Sequence, residues 1–120
     1  ILKKYDHSFK RFDVIVFDYK GSRLIKRIVG LPGETIEYKN NKLYVDGEQV
    51  AENFDRNADT EDFKLEDIGY DVIPEGKYFV MGDNRTNSTD SRIIGLVDED
   101  QIKGSTNLSI FPFDKMGTIN

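Results

Sequence analysis

The chain has 120 residues, 38% hydrophobic and 12% aromatic, which suffices for one packed core and argues against disorder. A net charge of −5 without a dense Lys/Arg tract speaks against a nucleic-acid footprint. One histidine, His7, and no cysteine remove most zinc sites, thiol nucleophiles and Ser-His-Asp triads together, so a hydrolase built here needs another base.

The chain starts apolar at Ile1 and passes through a polar loop around Asp6 to Lys10. Phe12-Asp13-Val14-Ile15-Val16-Phe17 is then rich in β-branched and aromatic residues and predicts a strand. After Lys20-Gly21-Ser22, the segment from Arg23 to Val29 sets Leu24, Ile25, Ile28 and Val29 around a Lys-Arg pair and predicts a second strand. Gly30-Leu31-Pro32-Gly33 ends in Pro-Gly, which suits the second and third positions of a type II turn, whose third residue needs positive φ. Ile36 and Tyr38, then Leu43 and Val45, alternate on either side of Asn40-Asn41, a pair that tolerates left-handed backbone; this predicts a hairpin, with the next turn at Asp46-Gly47.

Residues 51–72 carry eight Asp/Glu against two Lys/Arg, a net of −6, so the acidity of the chain is local. The segment reads as a solvated, mobile cap with no chemistry assigned. It interrupts a single domain, 1–120, whose core is expected in 1–50 and 73–120. Tyr78-Phe79-Val80-Met81 predicts a strand that runs into the polar loop Gly82-Asp83-Asn84-Arg85. Ile93 to Val97 resumes apolar character, and a last strand is expected from Ser105 to Phe111, before Pro112. The sum predicts a mostly β fold: antiparallel, barrel-like or coiled sheets of short strands with a small acidic cap insertion. No run of about 18 apolar residues, the length a membrane-spanning helix needs, occurs.

With triads and metals set aside, Lys26 is the first candidate for chemistry. Desolvation disfavours an ammonium and lowers its pKa, which can make a buried lysine a neutral general base. Alternation nevertheless puts Lys26 on the face opposite Ile25, and periodicity taken alone favours an exposed strand lysine. The second candidate is the loop from Gly82 to Arg92, which crowds carboxylates, guanidinium groups and hydroxyls into eleven residues.

That loop resembles, at every fixed position, the G-D-N-R-x-x-S-x-D-S-R box of bacterial type I signal peptidases. Two further boxes fall in the same order. Lys26-Arg27-Ile28-Val29-Gly30-Leu31-Pro32-Gly33-Glu34 is similar to K-R-V-I-G-L-P-G-D, and Arg11-Phe12-Asp13-Val14-Ile15-Val16-Phe17 is similar to R-G-D-I-V-V-F. The resemblance runs from about Arg11 through Phe113. It implies a Ser/Lys serine endopeptidase that removes signal peptides from secretory preproteins at A-x-A-like sites, with no metal or cofactor and no nucleic-acid partner. Lys26 matches the general base and Ser88 the hydroxyl that orients it. Asp90 with Arg92, and Asp83 with Arg27, match ion pairs that brace the loop. Ile25 and Val16 match positions lining the shallow apolar pockets for small substrate side chains. The substrate is expected to bind extended, adding a strand to a sheet edge beside Lys26.

The sequence departs from the pattern in three places. The S-M-x-P-T box that should precede Arg11, with the nucleophilic serine and an oxyanion-hole amide, is not found, and Ser8 reads as an ordinary turn serine. The nucleophile and a membrane anchor are therefore expected upstream of this chain, the domain on the extracytoplasmic face of the cell membrane, and the 120-residue fragment inactive alone. Phe12 stands where the family has glycine, and Glu34 stands for aspartate. The short insertion is more similar to the compact enzymes of Gram-positive bacteria. Two alternatives remain: a non-catalytic relative that binds secreted or pilus proteins, and the self-cleaving domain of LexA-type repressors, which lacks the Gly82 to Arg92 box.

Overall fold

The computed structural model describes residues 9–86 and 88–105, so His7, Ser8, Asn87 and the expected strand beyond Ser105 lie outside the described residues. Its strands form where β-branched and aromatic residues predict them. β1 (Val14–Tyr19) and β2 (Ser22–Gly30) form a hairpin in continuous register, Val14 opposite Arg27 through Tyr19 opposite Ser22. Lys20 and Gly21 turn it with φ of 48° and 80°. The type II turn follows: Glu34 N–H donates to Leu31 O at 3.1 Å, and Gly33 has φ 88°. β3 (Ile36–Lys39) and β4 (Lys42–Val45) close over Asn40 and Asn41, at φ 52° and 67°; Asp46-Gly47 then leads into β5 (Glu48–Val50).

The acidic segment is more structured than its charge suggests. It supplies β6 (Phe63–Lys64), which pairs with β3, and a 3-10 turn over Leu65–Ile68. Thr60, Phe63 and Leu65 are buried, the last two in the same core as Ile36, Tyr38 and Phe79. The expectation of a solvated excursion is therefore corrected in part: Thr60, Phe63 and Leu65 face the core, while most of its charged residues and Val72, 47% exposed, remain in solvent.

β7 (Lys77–Met81), the four-residue helix α1 (Ser91–Ile94), β8 (Val97–Asp98), a 3-10 turn over Glu99–Gln101 and β9 (Ile102–Ser105) complete the described chain. The apolar stretch Ile93 to Val97 is split between α1 and β8, and Ile93 points outward, 72% exposed.

The strands form two antiparallel sheets, β8-β7-β2-β1-β9 and β5-β4-β3-β6. β8 and β9 end opposite edges of the first sheet, although only Glu99–Gln101 separates them in sequence. Four residue steps reach about 14 Å, whereas five flat strands would set the edges about 19 Å apart. The sheet must curl, and Val97 of β8 and Ile102 of β9 accordingly pack on one cluster with Ile15, Phe17, Ile28 and Val80. On the other face Val29, Phe79 and Met81 pack against Ile36, Tyr38 and Leu43 of the second sheet. The first sheet is thus buried on both faces.

Two departures from the family boxes acquire a structural meaning. Phe12 has φ 74°, a left-handed conformation natural to glycine and strained for a bulky side chain. Its ring packs edge-on against Phe54 at 5.2 Å. Glu34 pairs bidentately with Arg11 at 2.7 and 2.8 Å and also accepts from Leu31 N–H, tying the turn to the entry of β1.

Candidate active site

Lys26 lies opposite Ile15, in the middle of a strand whose alternate residues, Leu24 and Ile28, belong to the apolar cluster inside the curl. Alternation does set it opposite Ile25, but that face is closed rather than wet, and Lys26 is 3% exposed. Desolvation is the main cause that lowers its pKa below the ordinary lysine value; Arg92 lowers it further, while Asp90 and Asp83 act the other way. Its Nζ donates to Ser88 Oγ at 3.0 Å. β7 pairs with β2 only from Arg27 to Gly30, so among the described residues Ser22 to Lys26 has a strand partner on the β1 side alone. The chain leaves β7 there as the Gly82 loop.

Local chemistry holds that loop at both ends. Asp83 takes Arg27 bidentately at 3.0 and 2.8 Å, and Arg27 also donates to Phe12 O. Asp90 is fully buried. It caps α1 by accepting from Arg92 N–H, accepts from Gly82 N–H at 2.9 Å, and takes the Arg92 guanidinium at 2.9 and 2.8 Å. Ser91 Oγ accepts from Val80 N–H at 2.8 Å, pinning α1 to β7. Val16 and Ile25 are partners across β1 and β2 and therefore share the face opposite Lys26; both are buried. A cleft of about 300 Å³ opens beside Ser88, lined also by Glu61, Thr86, Thr89, Arg92 and Ile93.

Sequence reasoning missed the middle of the loop. Arg85 has a fully buried side chain that pairs with Glu52 at 3.0 Å and donates to Thr60 Oγ1 and Gly82 O, both at 2.8 Å. Glu52 also accepts from Tyr38 O–H at 2.7 Å; burial, more than any charge, raises the Tyr38 pKa well above its usual value and keeps that proton in place. Asn57 receives Arg85 N–H at 2.7 Å, and its own N–H donates to Asp83 O. The available signal was a surplus: three arginines gather at two loop aspartates, so Arg85 had to find a carboxylate elsewhere.

Antiparallel sheets, the first of them curled, that bring a buried lysine against a serine hydroxyl fit the class of serine peptidases. Residues 1–111 match the family model described as "Signal peptidase, peptidase S26". Signal peptidase I V of Bacillus subtilis is 47% identical over 87% of this chain and 70% of its own length, and signal peptidase I of Bacillus amyloliquefaciens 40% identical over 94% and 64%. A crystal structure of a signal peptidase I from Enterococcus faecalis superposes with a TM-score of 0.73 at 40% identity, covering 81% of this chain and 95% of that one. The chain belongs to the signal peptidase family, peptidase S26, and spans roughly two thirds of the length of such curated relatives.

Proposed function

We propose that this domain carries the base side of a Ser/Lys dyad that cleaves signal peptides from secreted preproteins, Lys26 being the general base and Ser88 its orienting hydroxyl. The observation that supports it is the 3.0 Å contact between Ser88 and a lysine 3% exposed. The nucleophile is a serine outside this sequence, on an upstream segment that also leads to the membrane anchor, and the domain works on the extracytoplasmic face.

Neutral Lys26 takes the proton from the serine Oγ as that oxygen bonds to the scissile carbonyl carbon. The resulting ammonium gives the proton to the departing amine, the C–N bond breaks and an acyl-enzyme remains. Lys26 then deprotonates a water that attacks the ester, and the serine regains its proton. The substrate strand pairs beside the base along Ser22 to Ile25, which has no strand partner on the β7 side among the described residues. Val16 and Ile25 line the pockets that take the small side chains of an A-x-A-like site. Asp83 with Arg27, and Asp90 with Arg92, hold the loop and transfer no protons.

The test is cleavage of a secretory precursor by the full-length protein, wild type against Lys26→Ala. Loss of cleavage with retained folding is expected. A Lys26→Ala protein that cleaves like wild type overturns the dyad, and a wild type that does not cleave favours a non-catalytic binding protein.

A further inference from the structure

The ion pairs of Asp83 and Asp90 hold the ends of the Gly82 to Arg92 loop; Ser88 lies between them. Its Oγ must stay near 3.0 Å from Lys26, because a displacement of about 1 Å is enough to lose a hydrogen bond. The middle of the loop is held by Arg85, three residues before Ser88. Among the described residues of the loop neither carboxylate forms an ion pair with that buried guanidinium, since Asp83 is engaged by Arg27 and Asp90 by Arg92. A buried charge without a partner is strongly destabilising.

The partner comes from the acidic segment. Glu52, whose side chain is 4% exposed, takes Arg85 and is itself fixed by Tyr38 O–H and Arg56. Arg56 and Thr60 N–H both donate to Asn41 Oδ1, each at 2.7 Å, which anchors the segment on the β3–β4 turn. Asn57 grips the loop backbone directly: its Oδ1 receives Arg85 N–H, its Nδ2 donates to Asn84 Oδ1 at 2.8 Å, and Arg92 donates to Arg85 O from the other side. Phe54 closes the arrangement, its ring 4.2 Å from the Arg27 guanidinium.

We propose that the acidic segment is the positioning element of the dyad: Glu52, through Arg85, and Asn57, through the loop backbone, hold Ser88 in register with Lys26 during turnover. This rests on the roles of Lys26 and Ser88 proposed above. Glu52 and Asn57 touch neither substrate nor the reacting atoms and act through Ser88. Eight carboxylates read as a solvated face; one of them, Glu52, is the counter-ion the loop lacks.

The experiment compares wild type, Glu52→Gln, Asn57→Ala and, as control, Glu66→Gln in the full-length protein cleaving a secretory precursor. Asn57 is exposed, so Asn57→Ala keeps the core and remains informative if Glu52→Gln fails to fold. Both variants are expected to lower kcat by about tenfold or more with KM within about twofold, as misplacement of a catalytic group does. The control should match wild type. Asn57→Ala is also expected to move the acid limb of the pH profile to higher pH, because a slack loop admits water to Lys26. The charges acting on that lysine, Asp90, Arg92 and Asp83, are unchanged in the variant. Folded Glu52 and Asn57 variants with wild-type kcat and an unmoved acid limb overturn this proposal alone. A wild type that does not cleave, or a Lys26→Ala variant that does, overturns the dyad and this proposal with it.

Discussion

Lys26 Nζ and Ser88 Oγ meet at 3.0 Å across 62 positions of sequence, the lysine from the middle of a strand and the serine from a loop clamped at both ends. Neither side chain chooses this contact locally. β2 delivers Lys26 to a closed apolar face, and paired charges on the loop deliver Ser88 to it.

Removing the hydroxyl should leave the fold and spoil the base. Ser88→Ala is expected to lower kcat by roughly 10- to 100-fold with little change in KM, since orientation of Lys26 is lost while substrate contacts remain. Steady-state kinetics with circular dichroism as a folding control measures this. Wild-type kcat in Ser88→Ala would remove the residue from the mechanism.

The charges around Lys26 set the pH at which it works. Desolvation lowers its pKa first and Arg92 lowers it further, against Asp90. Arg92→Gln removes a repelling cation and leaves Asp90 less neutralised, so both effects raise the pKa of Lys26. Activity requires the neutral amine and therefore rises with pH through that pKa. The acid limb of kcat/KM is expected to shift to higher pH in Arg92→Gln; a shift to lower pH contradicts the arrangement.

Stability should show the same titration with the opposite emphasis. Lys26 has a lower pKa folded than unfolded, so the unfolded chain binds more protons between the two values and stability rises with pH across that window. Lys26→Met removes the penalty. It should melt above wild type at neutral pH and below, with the gap closing as pH approaches the ordinary lysine value. Thermal unfolding at several pH values tests this, and a gap that widens with pH refutes it.

At Phe12 the usual order of substitutions should reverse. Both Phe12→Gly and Phe12→Ala lose the packing on Phe54, but only alanine keeps a Cβ at φ 74°. The left-handed penalty of about 1–2 kcal/mol, less the extra entropy of glycine, leaves Phe12→Gly more stable by about 0.5–1 kcal/mol. Denaturant midpoints decide it; an alanine variant equal to or above the glycine variant means the conformation relaxes.

Asn40 and Asn41 look alike in sequence and should behave differently. Both have positive φ, which glycine adopts freely. Asn40→Gly is expected to fall within about 0.5 kcal/mol of wild type. Asn41→Gly loses acceptors for Arg56 and Thr60 and a donor to Asp59, and should cost about 1–3 kcal/mol. Equal stabilities would mean the acidic segment is not anchored there.

Nearest neighbours along the chain settle the local structure. Gly33 after Pro32, the asparagine pair and the β-branched runs each act within a few residues, so turns, strands and the antiparallel class were legible; the Asp83–Arg27 pair, 56 residues apart, and the Asp90–Arg92 pair were expected only through the family resemblance that the three boxes carry. Which face of β2 is dry is settled by packing between distant strands. Period-2 alternation assigns Lys26 a side, but whether that side meets water depends on the curl that brings β8 and β9 together around it. The acidic segment was misread for a related reason. A carboxylate in a charged run is solvated unless a distant cation has no other partner, and Arg85, 33 residues from Glu52, becomes that cation only when the loop folds over it.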